Sequence, residues 1–308
     1  MMKNSLTIET VLQNANLSRK ELANIVNGFI QNIDPPIIYH YTSAAGLFGI
    51  LSNHKLWFTR WDSLNDTSEN LIVHDCIEEA LNRYVHEPQF VEYVKEINNI
   101  HRECKKEGYI DKDLYLASFS SNADSLALWN CYSKDVRCDG YCIGFDNPNL
   151  FSDYPVILAK VLYDKEEQMN VVHEVLQRLF RIYESFIKNK ETSPDTYKII
   201  GDSFDYVFED IGIFFKHSAF KGEEEVRASI RKHDEVETLK TIVPQIRESG
   251  ALLIPYLEIP FDKDLVKSVT ISPTLADRPV RPGLLALKSK LGMGFNILQS
   301  EIPYRHVL

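Results

Sequence analysis

The chain has 308 residues, of which 44% are hydrophobic and 25% charged, and its formal net charge is -10 at pH 7. This composition is ordinary for a globular protein with a substantial core, and the acidic balance argues against broad binding to nucleic acid, whose phosphates it repels. Because the chain holds no apolar run of about 18 residues and residues 1–7 lead into polar sequence, we expect no transmembrane helix, no signal peptide and a cytoplasmic location.

The first predicted element is an N-terminal helical extension over residues 1–36. Ser18 to Glu21 form a capping-box pattern, and apolar residues follow at helical spacing as far as Ile30. Pro35 and Pro36 end the helix. Its apolar stripe is suited to a partner or to a second copy of the chain, but most such stripes pack on their own domain, so a homo-oligomer is left open.

Residues 37–308 alternate between predicted strands and helices. The predicted strands are 37–41, 55–59, 114–119, 140–145, 156–163, 225–231, 254–259, 266–271 and 296–300. The predicted helices are 44–52, 125–132, 165–189, 195–215 and 282–291. A further long helical region follows residue 66, divides near Pro88 and ends at Gly108. This interleaving predicts one α+β domain with a mixed sheet and inserted helices.

Several well-known sites are excluded because their motifs are absent. The chain has no GxGxxG or GxxxxGK[ST] for nucleotide phosphates, no GxSxG hydrolase elbow and no HExxH zinc motif. Cys131, Cys138 and Cys142 lie close in sequence but lack the paired spacing of a zinc site. The five cysteines are an odd number, so we expect reduced thiols and no metal.

The remaining candidates are polar residues in strands and at strand ends. His40 lies on a predicted strand, where a histidine is usually a hydrogen-bonded core residue, although it also suits polar recognition near neutral pH. Strand alternation places Glu223, Glu225 and Arg227 on one face, with Arg227 as an ion partner for a carboxylate. Acidic runs are usually solvated, but this one leads directly into a strand.

The order of short motifs along residues 37–306 is similar to that of one bacterial family. The motifs are His-Tyr-Thr at 40–42, Leu-Trp-Phe at 56–58, Leu-Asn-Asp at 64–66, Ser-Phe-Ser at 118–120, Leu-Trp-x-x-Tyr at 128–132, Gly-Tyr-x-Ile-Gly-Phe-Asp at 140–146, Glu-x-Glu-x-Arg at 223–227 and Ile-Pro-Tyr-Arg at 302–305. Together they resemble the family catalogued as domain of unknown function 2971, whose name states no activity.

A more distant resemblance is to ADP-ribosyltransferases, which share a histidine on an early strand, a central aromatic residue and an acid beginning a late strand. It implies an ADP-ribosyltransferase-like fold and NAD as a consumed substrate. His40 would bind the adenosine ribose, Glu225 would stabilise the oxocarbenium-like transition state at the nicotinamide ribose, and Glu223 would orient or deprotonate the acceptor. The implied NAD-binding residues are His40, Tyr41, Thr42, Asn65, Asp66, Tyr132, Tyr141 and Arg227, with Tyr132 or Tyr141 stacking on nicotinamide.

Three functional hypotheses follow. The first is an NAD-consuming transferase or NAD glycohydrolase with an unknown macromolecular acceptor, in a toxin or anti-phage setting that the family type implies. It requires His40 and Glu225 to line the same cleft. The second is a catalytically silent module of the same fold that binds a nucleotide or a protein. The third is a metal-dependent nuclease using Asp66, Glu223 and Glu225, which the acidic balance disfavours.

Overall fold

A computed structural model describes residues 8–15, 20, 24–26, 36–64, 69–84, 114–132, 139–147, 149–188, 194–232, 237–275 and 277–304. Contacts within the chain divide it into two compact units. The first comprises Met1–Gln31, Asn65–Asp111 and Ala159–Ser218, and the second comprises Asn32–Leu64, Lys112–Leu158 and Ala219–Leu308. The sequence predicts one domain over residues 37–308, whereas the contacts assign two stretches of that range to the first unit.

The secondary structure is mixed, with helices and one open sheet, as the predicted α+β class requires. The helices with defined bounds are α1 (Ile8–Ala15), α2 (Ala44–Asn53), α3 (Glu69–Tyr84), α4 (Leu126–Tyr132), α5 (Lys165–Lys188), α6 (Pro194–Gly212) and α7 (Asp277–Leu291). The strands are β1 (Ile37–Thr42), β2 (Lys55–Arg60), β3 (Leu114–Ser120), β4 (Tyr141–Asp146), β5 (Ile157–Lys160), β6 (Glu225–Arg231), β7 (Gln245–Ser249), β8 (Leu252–Pro260), β9 (Val266–Ile271) and β10 (Asn296–Gln299).

The first unit is built from helices that bury one apolar stripe each. α1 and α3 both pack against α5 and α6. The buried stripe of α5 follows helical spacing: Val172, Val175, Leu176, Leu179 and Phe180. Pro194 begins α6, where the missing proline N–H is not needed. Among the described residues, no helix is both long and apolar enough to cross a membrane.

The second unit contains a sheet whose strand order mixes distant parts of the chain. The order is β10-β9-β4-β1-β3-β2-β8-β7, and β6 pairs along the whole length of β3. β10 pairs with β9 in parallel, while the pairings of β4 with β1 and of β3 with β6 are antiparallel. β1 meets β3 at one residue pair, Tyr39 with Ser120. This pair brings the predicted motifs of β1, β3 and β6 together.

One face of this sheet carries the main apolar core. Its buried side chains include Phe58, Phe119, Phe145, Val226 and Leu257, and the rings of Phe119 and Phe145 are nearly perpendicular to each other. α2 and α7 cover this face with Leu47, Leu51 and Leu284. α2 begins at a Ser43 cap, whose hydroxyl accepts a hydrogen bond from the Gly46 N–H.

The second face of the sheet carries a smaller aromatic cluster together with polar groups. Tyr41, Cys142, Leu128 and Trp129 form the cluster, so α4 covers this face. Residues paired in register share a face, and Ser120 pairs with both Tyr39 and Glu225. The polar ends of the strands therefore point into the space below α4.

Most predicted elements lie within a few residues of their observed bounds, but three differ. The sequence predicts a helical extension over residues 1–36 but begins its helix at Ser18, after α1, and it predicts no strand at β7. β7 is an edge strand with mostly exposed side chains, so it lacks the apolar alternation that marks a strand. α7 begins at Asp277, five residues before the predicted start, and contains Pro282. The predicted helix from Ser18 to Ile30 and the region from Pro88 to Gly108 lie largely or wholly outside the described residues.

Candidate functional site

A small cavity lies on the second face of the sheet, below α4. Strands β1, β3 and β6 and the turn before β6 form its walls. Its lining residues are Tyr39, Tyr41, Ser118, Phe119, Ser120, Leu128, Glu223 and Glu225. It thus combines two carboxylates, two phenols and two hydroxyls, a composition suited to binding a polar or positively charged group.

The two acidic residues reach this cavity by different backbone routes. Glu223 ends a 3-10 turn over Ser218–Glu223, whereas Glu225 begins β6. Glu224 lies between them with a left-handed φ of 44°, which is uncommon for a residue other than glycine. The predicted strand alternation from residue 223 to 227 is therefore wrong at Glu223, because the chain turns before the strand starts. Both carboxylates still line the same cavity.

The loop after β3 holds this turn in place. The Ser120 hydroxyl donates a hydrogen bond of 2.8 Å to the Glu223 carbonyl, and the Ser121 N–H donates one of 2.9 Å to the Glu224 carbonyl. The Asn122 side-chain amide donates to the Glu224 carboxylate at 2.8 Å. These bonds satisfy polar groups of a strained turn and fix the position of Glu223 beside the sheet.

Glu225 and Arg227 form a buried ion pair on the cavity face, as their two-residue spacing predicts. Arg227 Nε donates to one Glu225 carboxylate oxygen at 2.9 Å, and its Nη2 donates to the other at 2.8 Å. Glu225 is 4% exposed and Arg227 is 1% exposed. This two-point geometry holds the carboxylate in one orientation and neutralises most of its charge.

Tyr41 links the cavity to α4. Its hydroxyl donates to the Asn122 carbonyl at 2.8 Å and accepts from the Ser125 N–H at 2.9 Å, and its ring meets Trp129 edge-on at 4.7 Å. Burial raises the pKa of both Tyr39 and Tyr41, so both phenols stay protonated at neutral pH. They therefore present an uncharged hydroxyl or an aromatic ring to a ligand.

Asp124 anchors the segment that follows β10 to the same region. Its carboxylate accepts hydrogen bonds from Trp129 Nε1 at 2.7 Å, the Ser300 hydroxyl at 2.6 Å and the Glu301 N–H at 2.8 Å. Ile302 and Tyr304 then pack against the aromatic cluster. Sequence reasoning missed Asp124, because two of its partners lie far along the chain.

The structure does not bring the predicted histidine into this cavity. His40 is paired in register with Ile143, a residue of the main core, and its ring lies 5.7 Å from Phe119. It therefore leaves the sheet on the face opposite to Glu225. The expected shared cleft of His40 and Glu225 is not formed, because neighbouring residues of a strand alternate between faces and Tyr41 occupies the cavity side.

Thr42 and Tyr141 share the face of His40. They pair with each other in register, and the Thr42 hydroxyl lies against Gly46 of α2. The prediction that both residues contact the same ligand as Glu225 is thus wrong in this geometry. Tyr39, Ser118, Ser120 and Leu128 occupy the cavity instead.

The side chains of the remaining predicted site residues fall outside the part of the chain that the structure describes. Asn65 and Asp66 lie outside the described residues, as does the side chain of Tyr132. Among the side chains that are described, no three from histidine, cysteine, aspartate and glutamate are arranged to hold a metal ion. The nuclease hypothesis needs Asp66 and stays a prediction.

His40 gives a test of the placement just described. Its Nδ1 lies 3.0 Å from the Ser118 carbonyl, and burial lowers its pKa. An unfolded histidine takes up a proton near pH 6.5, whereas the folded one resists it, so stability should fall as pH drops below about 6.5. We expect urea unfolding to show a smaller loss of stability between about pH 7 and pH 5 for His40→Gln than for the wild type. The other histidines are common to both proteins, and equal slopes would contradict the placement.

The cavity is narrow in this structure. Its volume is about 10 Å³, which is room for a single water molecule at most. Leu128 of α4 and the turn carrying Glu223 both line it. A nucleotide can enter only if α4 or this turn moves away from the sheet.

Comparison with known proteins finds one family that part of the chain resembles, and that family has no described activity. Residues 128–228 match the model of a family described as protein of unknown function (DUF2971), which confirms the predicted resemblance. Neither a curated protein nor a solved structure matches the chain significantly. The matched segment contains Glu223, Glu225 and Arg227 of the cavity region, and it lacks Tyr39 and Ser120.

Proposed function

Because the family that matches residues 128–228 is described without an activity, we propose a function from the cavity itself. We propose that this chain is a recognition module for an oxidised nicotinamide nucleotide, and that the cavity receives the positively charged nicotinamide riboside part. The observation that carries this proposal is the joint lining of the cavity by Glu223, Glu225, Tyr39 and Tyr41.

The chemistry of the lining favours a planar cation bearing hydroxyl groups. Tyrosine rings attract a cation through their π faces, and carboxylates accept hydrogen bonds from ribose hydroxyls. The ring of oxidised nicotinamide carries a positive charge that the reduced ring lacks. Phosphates are not attracted by two carboxylates, so the pyrophosphate would lie outside the cavity.

Two observations support recognition over catalysis. His40 lies on the opposite face, and Glu225 already gives both oxygens to Arg227. A carboxylate neutralised in this way contributes less to stabilising a developing positive charge.

The charge of the nicotinamide ring gives the direct test of this proposal. We expect wild-type protein to bind NAD at least tenfold more tightly than NADH in calorimetry, because only NAD carries the pyridinium charge. Glu223→Gln should weaken NAD binding about tenfold, which corresponds to about 1.4 kcal/mol, and leave NADH binding unchanged. Glu248→Gln removes the same charge from exposed β7 and serves as the control. Equal binding of NAD and NADH would overturn the proposal.

A second candidate function is cleavage of NAD at the same cavity without His40, favoured by the fixed position of Glu225 in a cavity that Glu223 also lines. In that reaction the glycosidic C–N bond breaks, its electron pair leaves with nicotinamide, and Glu225 faces the oxocarbenium-like ribose. Water or an acceptor side chain then bonds to the ribose carbon and passes its proton to Glu223. The products are nicotinamide and either ADP-ribose or an ADP-ribosylated acceptor.

Free nicotinamide and label transfer from tagged NAD separate the two candidates. We would follow both in cell lysates, with and without phage infection, for wild type, Glu223→Gln and Glu225→Gln. Nicotinamide release by wild type that folded Glu223→Gln lacks would replace recognition by catalysis. Binding without release in any lysate supports recognition and leaves the toxin or defence setting without an enzymatic basis.

A further inference from the structure

An apolar groove lies on the sheet face opposite to the Glu225 cavity. It runs between α2 and α7 and encloses about 390 Å³, within the lower range of small-molecule sites. Leu47, Phe48, Leu284 and Leu287 form its apolar walls. Phe48 is 55% exposed although it borders other apolar side chains. Covering the apolar surface between two helices with a hydrocarbon removes it from water, which lowers the free energy.

Two polar residues line the groove, Tyr141 and Lys290. Within the part of the chain that the structure describes, neither side chain has a hydrogen-bond or ion-pair partner. Lys288, two residues before Lys290 on α7, instead donates a hydrogen bond to the Phe295 carbonyl at 2.6 Å. A phenol and an ammonium both donate hydrogen bonds, so the groove offers donors to an anion. Its described lining contains no acidic side chain, and Asp139 lies close enough to Tyr141 to act on it electrostatically.

We propose that this groove is a binding site for a medium-chain carboxylate, with the hydrocarbon tail between α2 and α7 and the carboxylate at Lys290 and Tyr141. The lining favours a negatively charged head group, because Lys290 is the one charged residue among the described residues that line the groove. The groove volume of about 390 Å³ is suited to the tail, since it matches a small ligand with a single short chain. This site is separate from the Glu225 cavity and does not depend on the proposed function.

The net charge of the chain makes the proposal easy to test. At -10, the protein repels anions in general, so nonspecific uptake of a carboxylate is disfavoured. Octanoate is the probe, with octanol and octylammonium as ligands of the same length without the negative charge. We expect saturable octanoate binding in calorimetry, weaker binding of octanol, and no binding of octylammonium in the groove.

Variants on α7 locate the ligand. Gly283 lines the groove, and a Cβ built there meets no atom within 4 Å, so Gly283→Leu should fold and fill the space. It should reduce octanoate affinity at least tenfold. Lys290→Gln should reduce octanoate affinity about three- to fivefold, as for an exposed ion pair, and leave octanol unaffected. Lys240→Gln, which removes a charge paired with Glu237 elsewhere, is the control.

Three outcomes would overturn the proposal. The first is the absence of saturable octanoate binding by folded wild-type protein. The second is octanoate binding that Gly283→Leu leaves unchanged, because the ligand would then lie elsewhere. The third is self-association in sedimentation that Gly283→Leu abolishes while octanoate does not compete, because a second copy of the chain would then cover the groove.

Discussion

Replacing Arg227 by methionine is expected to destabilise the protein by about 3–5 kcal/mol, because Glu225 would be left as an unpaired buried charge. Both residues are almost completely inaccessible, so water cannot replace the guanidinium. Methionine fills a similar volume, which keeps the loss of packing small. Urea unfolding monitored by circular dichroism would measure the change.

A double variant separates charge from packing at this pair. If the buried charge is the cause, Glu225→Gln combined with Arg227→Met should recover more than half of the stability that Arg227→Met alone loses. Recovery stays partial because both side chains make further contacts. If the double variant instead loses the sum of what the two single variants lose, the ion pair contributes no stability of its own.

Asp124→Ala is expected to destabilise the protein by roughly 2–4 kcal/mol, since one carboxylate accepts three hydrogen bonds from separate parts of the second unit. The loss leaves the indole N–H of Trp129, which is 2% exposed, without its acceptor. It also frees the segment from Ser300 to Tyr304. Urea unfolding and the rate of proteolysis after residue 299 would report the two effects.

Asp124→Asn is the matched control, because it keeps one acceptor oxygen in nearly the same shape. We expect it to lose about half as much stability as Asp124→Ala. Ser300→Ala should reproduce the faster proteolysis while leaving the Trp129 hydrogen bond intact. If all three variants match wild type, the anchor has no role in holding the segment.

Local rules predicted much of the fold and one part of the site. Alternation along a strand placed Glu225 and Arg227 on one face, and their two-point ion pair confirms it. The same rule failed at Glu223, because the positive φ of Glu224 interrupts the strand. A non-glycine residue in that conformation carries no clear sequence signal.

The set of residues that line the Glu225 cavity could not be predicted, because it depends on register between strands far apart in sequence. Ser120 and Glu223, which meet beside the cavity, are separated by 103 residues. Sequence alternation shows that His40 and Tyr41 point to opposite faces but not which of them faces Glu225. A shift of one residue between β1 and β3 would exchange them, and only packing against α2 and α4 fixes the choice.

The strand order also has a consequence for how the chain folds. The segment 128–228 that matches the family contains β4, β5 and the beginning of β6, whereas their other partners β1, β9 and β3 lie outside it. β2 cannot complete its pairing until β8 has been synthesised, because Lys55 pairs with Pro260. The sheet therefore closes late, through contacts of high sequence separation that form slowly. A fragment cut to the family boundaries would expose unpaired strand edges and should aggregate instead of folding.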